Sequence, residues 1–181
     1  ETDRKIQSIG AEETYEEDLV DGSAIELEFR YFANRLSKRL RKRNLLGHTV
    51  SIKVRYDDFT TVSRQKRLDT PSDHEHVFFE TALLLWNKLM QDKTTEQPKG
   101  TIFIAPPGPI RLLGLTVSGL DEEVPMQDSL FESPRNETEN KLAGVLDSLE
   151  SKFGETAVMS GALWQRFHGE NGARRKRSEL K

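Results

Sequence analysis

No cysteine occurs among the 181 residues, and that absence excludes a disulfide framework, a thiolate zinc site and a cysteine nucleophile together. Long apolar runs are missing too. None approaches the ~20 residues that cross a bilayer, so no membrane partner is expected. The chain carries no secretory signal pattern, which makes a cytoplasmic protein the expectation. It has no P-loop, no dinucleotide fingerprint and no Ser-His-Asp arrangement, so independent enzymatic activity is not expected. Histidine is scarce, and His74 and His76 stand two apart, a spacing at which helical side chains diverge; a surface role suits them better than metal binding. The opening ETDRKIQSIG lacks an initiator Met, which suggests a piece of a longer protein.

Charge, by contrast, is abundant and segregated. The net charge is −3, with 31% charged and 35% hydrophobic residues, a balance that fits a soluble chain with one main core and appendages. From Ala11 to Glu28 every charge is acidic: Glu12, Glu13, Glu16, Glu17, Asp18, Asp21, Glu26 and Glu28. From Arg30 to Arg67 the charges are basic except at Asp57 and Asp58. KRLRKR alone would read as a solvated helix face. The basic bias continues through two expected strands, however, and that points to a polyanion, nucleic acid above all. A negative net charge is compatible with this, because a phosphate backbone responds to local patches.

Periodicity orders the chain. RKIQSIGA reads as a short strand closed by Gly10. Ser23 can cap a helix whose apolar residues Ile25, Leu27, Phe29, Phe32, Ala33, Leu36 and Leu40 recur near helical spacing, with Gly47 as its stop. TVSIKVRY alternates, Val50, Ile52, Val54 and Tyr56 against Ser51, Lys53 and Arg55. Asp57-Asp58 makes a polar hairpin turn rather than a metal pair, and FTTVSRQKRL returns. Pro71 with Ser72 or Asp73 opens a second helix carrying Val77, Phe78, Ala82, Leu85, Trp86 and Leu89. IRLLGLTVSGL is the last strand, with Leu113, Leu115 and Val117 on one face. The expected fold is therefore α+β: a four-stranded sheet in β-α-β-β-α-β order with two helices on one face. Its other face stays open, carrying Ser51, Lys53, Arg55, Thr61 and Ser63, side chains suited to hydrogen-bonding successive phosphates. In the third strand Arg64 and Lys66 share parity with Val62 and Leu68, a conflict that a bulge would resolve.

Three ordered blocks, QSIGAEETYEEDL, GHTVSIKVRYDDFTTVSRQKRL and PIRLLGLTVSGL, resemble the little-finger domain of Y-family translesion DNA polymerases, most nearly the DNA polymerase IV branch. The resemblance spans about residues 4–120 and implies a domain that lies in the DNA major groove and grips template and primer backbones. The family's phosphate-contacting pattern falls on Lys5, Ser8 and Gly10, then on Lys53, Arg55, Thr61, Ser63, Arg64 and Lys66, and finally on Arg111 and Thr116. Leu112 departs from it, since some relatives place a second basic residue there. The loop QDKTTEQPKGTIFIAPPGP, residues 91–109, is much longer than the family's usual link, and its TIFIA could add an edge strand. The palm carboxylates that hold Mg2+ in such polymerases are not in this chain, so it needs no cofactor of its own and should be inactive alone.

After residue 120 an acidic linker to residue 140 contains QDSLF, which resembles the short peptide by which bacterial polymerases dock on the sliding clamp. Leu130 and Phe131 would fill an apolar pocket and Gln127 would hydrogen-bond at its edge. A short helical segment at 141–164 follows, with a stripe of Leu142, Val145, Leu146, Leu149 and Phe153 that must pack on something, and Gly154 as its stop. Residues 165–181 read as a basic, disordered terminus. The expected partners are primer–template DNA and the bacterial sliding clamp, engaged by a monomer. The alternative is a non-catalytic, polymerase-like adaptor that binds damaged DNA and the clamp; intact metal-binding carboxylates upstream would separate the two.

Overall fold

Apolar residues at every second position of one strand and at helical spacing in two segments demand a sheet with a helical layer, and the computed structural model shows that arrangement. It describes residues 6–91, 106–122 and 134–154, together with 161, 164 and 166. The elements are β1 (Ser8–Leu19), α1 (Gly22–Arg41), β2 (Leu45–Tyr56), β3 (Thr61–Ser72), α2 (Glu75–Gln91), β4 (Ile110–Glu122) and α3 (Pro134–Phe153). The strands form one antiparallel sheet in the order β1-β4-β2-β3. β4, the last of these strands in sequence, thus inserts between β1 and β2.

Alternation in β2 decides the inner face. Val50, Ile52, Val54 and Tyr56 are buried, and in the paired β4 so are Leu113, Leu115 and Val117. α1 covers them with Ile25, Phe29, Phe32, Leu36 and Leu40, and α2 with Phe78, Ala82, Leu85, Trp86 and Leu89. Trp86 meets Phe29 edge-on at 5.9 Å between centroids, where the two helices cross the centre of the core. Each such buried aromatic or aliphatic side chain stabilises the fold by roughly 1.5–3 kcal/mol. Polar contacts set the helix pairing: Asn34 Nδ2 donates to Glu75 Oε2 at 2.6 Å, and the Ser37 hydroxyl donates to the Asp73 carbonyl.

Several boundaries differ from the sequence expectation, each for a local reason. β1 does not close at Gly10, because its ladder with β4 continues from Ser8↔Ser118 to Thr14↔Leu112. Asp21, rather than Ser23, is the N-cap of α1: its carboxylate accepts from the Ser23 N–H at 3.0 Å and from the Ser23 hydroxyl at 2.6 Å. α1 stops at Arg41, and Asn44 takes a positive φ of 51°, so the chain turns before Gly47. Gly47 lies inside β2 instead, where an added Cβ would stand 2.1 Å from Val117 Cγ1. Pro71 and Ser72 end β3 instead of opening α2; Ser72 Oγ accepts from the His74 N–H, and the helix begins at Glu75.

The Asp21 cap yields a pH prediction. Its hydrogen bonds from the Ser23 hydroxyl and N–H hold the carboxyl below the ordinary aspartate range. The contribution is therefore complete above the unfolded pKa and is lost as pH falls through the lower folded value. Asp21→Ala is expected to cost about 1 kcal/mol at neutral pH. Urea unfolding at pH 7 and again in strong acid checks this: the gap between variant and parent should close at the lower pH.

α3 starts seven residues earlier than the expected segment, at Pro134, a favoured first helical residue, and ends before Gly154 with its φ of 97°. Its link to the domain is ionic. Arg41 Nε and Nη2 donate to the two carboxylate oxygens of Asp147 at 2.7 and 3.0 Å. Burial pushes the Arg41 guanidinium down, but the Asp147 hydrogen bond and charge outweigh it and leave the group above its usual value. Leu142, Val145 and Phe153 of the expected packing stripe are exposed.

Candidate nucleic-acid interface

Pairing register, read rung by rung, assembles the outer face, because directly opposed residues share a face of an antiparallel sheet. The first rung runs Ser8, Ser118, Thr49 and Arg67 across β1, β4, β2 and β3. Next come Gly10, Thr116, Ser51 and Gln65, then Glu12, Gly114, Lys53 and Ser63, and last Thr14, Leu112, Arg55 and Thr61. Hydroxyls and cations dominate, and Glu12 is the one acidic residue in these four rungs. Neither α1 nor α2 covers them, since both spend their apolar faces on the opposite side.

Local contacts preset the cations. Lys53 Nζ lies 3.0 Å from Glu12 Oε2, although β4 runs between their strands. Gly114 permits this bridge: a Cβ there would stand 3.1 Å from Glu12 Cβ and 3.6 Å from Lys53 Cβ, filling the space the two side chains share. Both partners are substantially exposed, so the pair contributes little stability and a competing anion can displace it. Arg55 Nε donates to Thr61 Oγ1 at 2.9 Å, which aims the guanidinium along its rung. The β2–β3 turn beyond is polar, with Asp57 Oδ1 accepting from the Asp58 N–H and Asp58 Oδ1 from the Thr60 N–H. Both turn carboxylates are thus engaged in shaping the hairpin.

The expected contact residues divide accordingly. Ser8, Gly10, Lys53, Arg55, Thr61, Ser63 and Thr116 come together on the open face. Arg64 and Lys66 do not join them: they oppose Ile52 and Val50, which point into the core, so these two side chains leave the edge strand on the helix side. The register irregularity does exist, but between Arg67 and Ser72, too late to turn them outward. Arg111 sits at a second irregularity, where β4 shifts against β2, and its guanidinium lies 5.0 Å from the centre of the Phe59 ring. Leu112, opposite Arg55, is buried. Lys5, Gln127, Leu130 and Phe131 lie outside the described residues, as does TIFIA. Thr49, Gln65 and Arg67 were missed; extending the outward parity of Ser51 and Ser63 along each strand would have found them. Among the described residues no group of three or more His, Cys, Asp or Glu could hold a metal ion.

A four-stranded antiparallel sheet with two helices behind and a basic, hydroxyl-lined face in front defines the class of domain, and the comparisons with known proteins agree. Residues 6–130 match the model of the impB/mucB/samB family C-terminal domain, and the chain belongs to that family, the C-terminal little-finger domain of Y-family DNA polymerases. It is 33% identical over 162 residues to a DNA polymerase IV of Treponema denticola and 30% identical over 162 residues to one of Dehalococcoides mccartyi. Each alignment covers 89% of this chain but 37% of the relative, so the chain spans about a third of the length of these curated relatives. Among solved structures, a Dbh–Dpo4 chimera of Y-family DNA polymerases shares the fold at a TM-score of 0.50 and 15% identity, over 66% of this chain and 30% of its own.

Proposed function

We propose that the open face grips the sugar–phosphate backbone of primer–template DNA without reading its sequence, as the DNA-binding part of a translesion polymerase. The observation that carries this reading is the four-rung face itself, where Lys53, Arg55 and Arg67 are interleaved with Ser and Thr hydroxyls. Arginine offers a fork and lysine a point charge to phosphate, while the hydroxyls supply short neutral hydrogen bonds between them. Nucleotidyl transfer belongs to a palm domain with Mg2+, and this chain contributes position rather than chemistry. The sequence QDSLF supports a second contact, in which Leu130 and Phe131 anchor the sliding clamp and Gln127 bonds at the pocket edge. The chain would act as a monomer in the cytoplasm.

Fluorescence anisotropy of labelled duplexes tests the DNA reading. Affinity should be similar for unrelated sequences and should fall with added salt, log K against log[salt] sloping by about −0.9 for each phosphate engaged. Strong preference for one sequence, or a flat salt response, would sink the backbone-grip reading.

A further inference from the structure

We propose that Tyr15, Glu28 and Tyr31 form an arginine-recognition pocket between β1 and α1, and that Arg166, from the segment after α3, is its ligand. Arg166 Nε donates to Glu28 Oε1 at 2.9 Å and Nη2 to Glu28 Oε2 at 3.1 Å, a two-pronged match of guanidinium to carboxylate. The guanidinium carbon lies 3.5 Å from the centre of the Tyr31 ring, so one flat face of the cation rests on the aromatic. From the other side Tyr15 Oη donates to Glu28 Oε2 at 3.0 Å and holds the carboxylate in place. Arg35 completes the charged surroundings, donating to the Tyr31 hydroxyl at 3.3 Å.

Burial makes the arrangement selective. The Arg166 and Glu28 side chains are 3% and 0% exposed. Charges so withdrawn from water are tolerated only when paired and hydrogen-bonded, and removing one partner leaves the other stranded. Burial pushes the Arg166 guanidinium down, yet the Glu28 hydrogen bonds and charge raise it above its usual value, so the cation persists in the pocket. A lysine would bring one point charge and no plane to stack. The pocket residues lie within the matched family domain, at 6–130, whereas their ligand lies beyond it. With Arg41–Asp147, this second ion pair ties the C-terminal segment to α1, and it makes Arg166 a buried residue of the stretch expected to be a basic, disordered terminus.

Chemical rescue in the full-length chain tests the pocket. Arg166→Ala should lower the unfolding temperature by roughly 5–10 °C. Ten-millimolar ethylguanidinium should restore part of that loss, whereas ethylammonium should restore none, and the parent chain should gain from neither. Arg166→Lys should behave like the alanine variant. An unchanged unfolding temperature in Arg166→Ala, or equal rescue by the two cations, would overturn the proposal. Should the variant not fold, the parent chain still decides: the Arg166 Nε–H resonance must outlast those of solvent-exposed arginines in hydrogen exchange, and exchange at their rate would refute the pocket.

Discussion

Alanine at both Lys53 and Arg55 is expected to weaken duplex binding by roughly 30-fold or more, equally on unrelated sequences. Each side chain would supply a charge-assisted contact to phosphate, and losing two such contacts costs about 2 kcal/mol or more in total. The neighbours enlarge the effect. Truncating Lys53 leaves Glu12 facing the incoming phosphates without its 3.0 Å partner, and truncating Arg55 frees Thr61 Oγ1 from its donor. Counterion release supplies a second readout: the slope of log K against log[salt] should fall by about two. Glu12→Gln should move binding the opposite way, since it removes the competing anion from that rung. Loss confined to one sequence would show that these side chains read bases. Arg64→Ala should have a smaller effect than either member of the pair, because Arg64 leaves the sheet on the helix side.

Alanine at both Leu130 and Phe131 should reduce binding to the bacterial sliding clamp by about 1,000-fold while leaving DNA binding unchanged. Peptide docking concentrates its energy in a few apolar anchors, each worth about 2 kcal/mol or more, so losing two of them weakens a micromolar interaction to about millimolar. Gln127→Ala should cost tenfold or less, as expected for a hydrogen bond at the rim. Titration of the chain against the clamp, by calorimetry or anisotropy, distinguishes the cases. Undiminished binding by the double variant would place the contact elsewhere on the chain. Absence of binding by parent and variant alike would make QDSLF a coincidence of five residues.

Strand alternation in β2 and helical spacing in α1 and α2 were legible because their apolar residues are numerous and each element buries one face. The third strand was not, since β3 is an edge strand whose helix-side positions include Val62, Arg64 and Lys66, a mixture that no parity rule resolves. Its orientation comes from pairing with β2, where Ile52 and Val50 define the inner side. The N-cap of α1, expected at Ser23, falls on Asp21 for a different reason. Asp21 and Ser23 are both good cap formers two residues apart, and only the geometry shows which one accepts and which donates.

By itself the sequence determined the α+β order, the inner faces of the long elements, the basic outer row of β2 and the family, because those depend on periodicity and on contiguous blocks. Tertiary structure decided what depends on residues far apart. It placed β4 between β1 and β2, and so set Lys53 against Glu12 across Gly114. It sent Arg64 and Lys66 away from the face they were expected to join. It also brought Arg166 to Glu28 over a separation of 138 residues. No local pattern encodes such a meeting, since a buried carboxylate needs a cation but cannot specify from which part of the chain it comes.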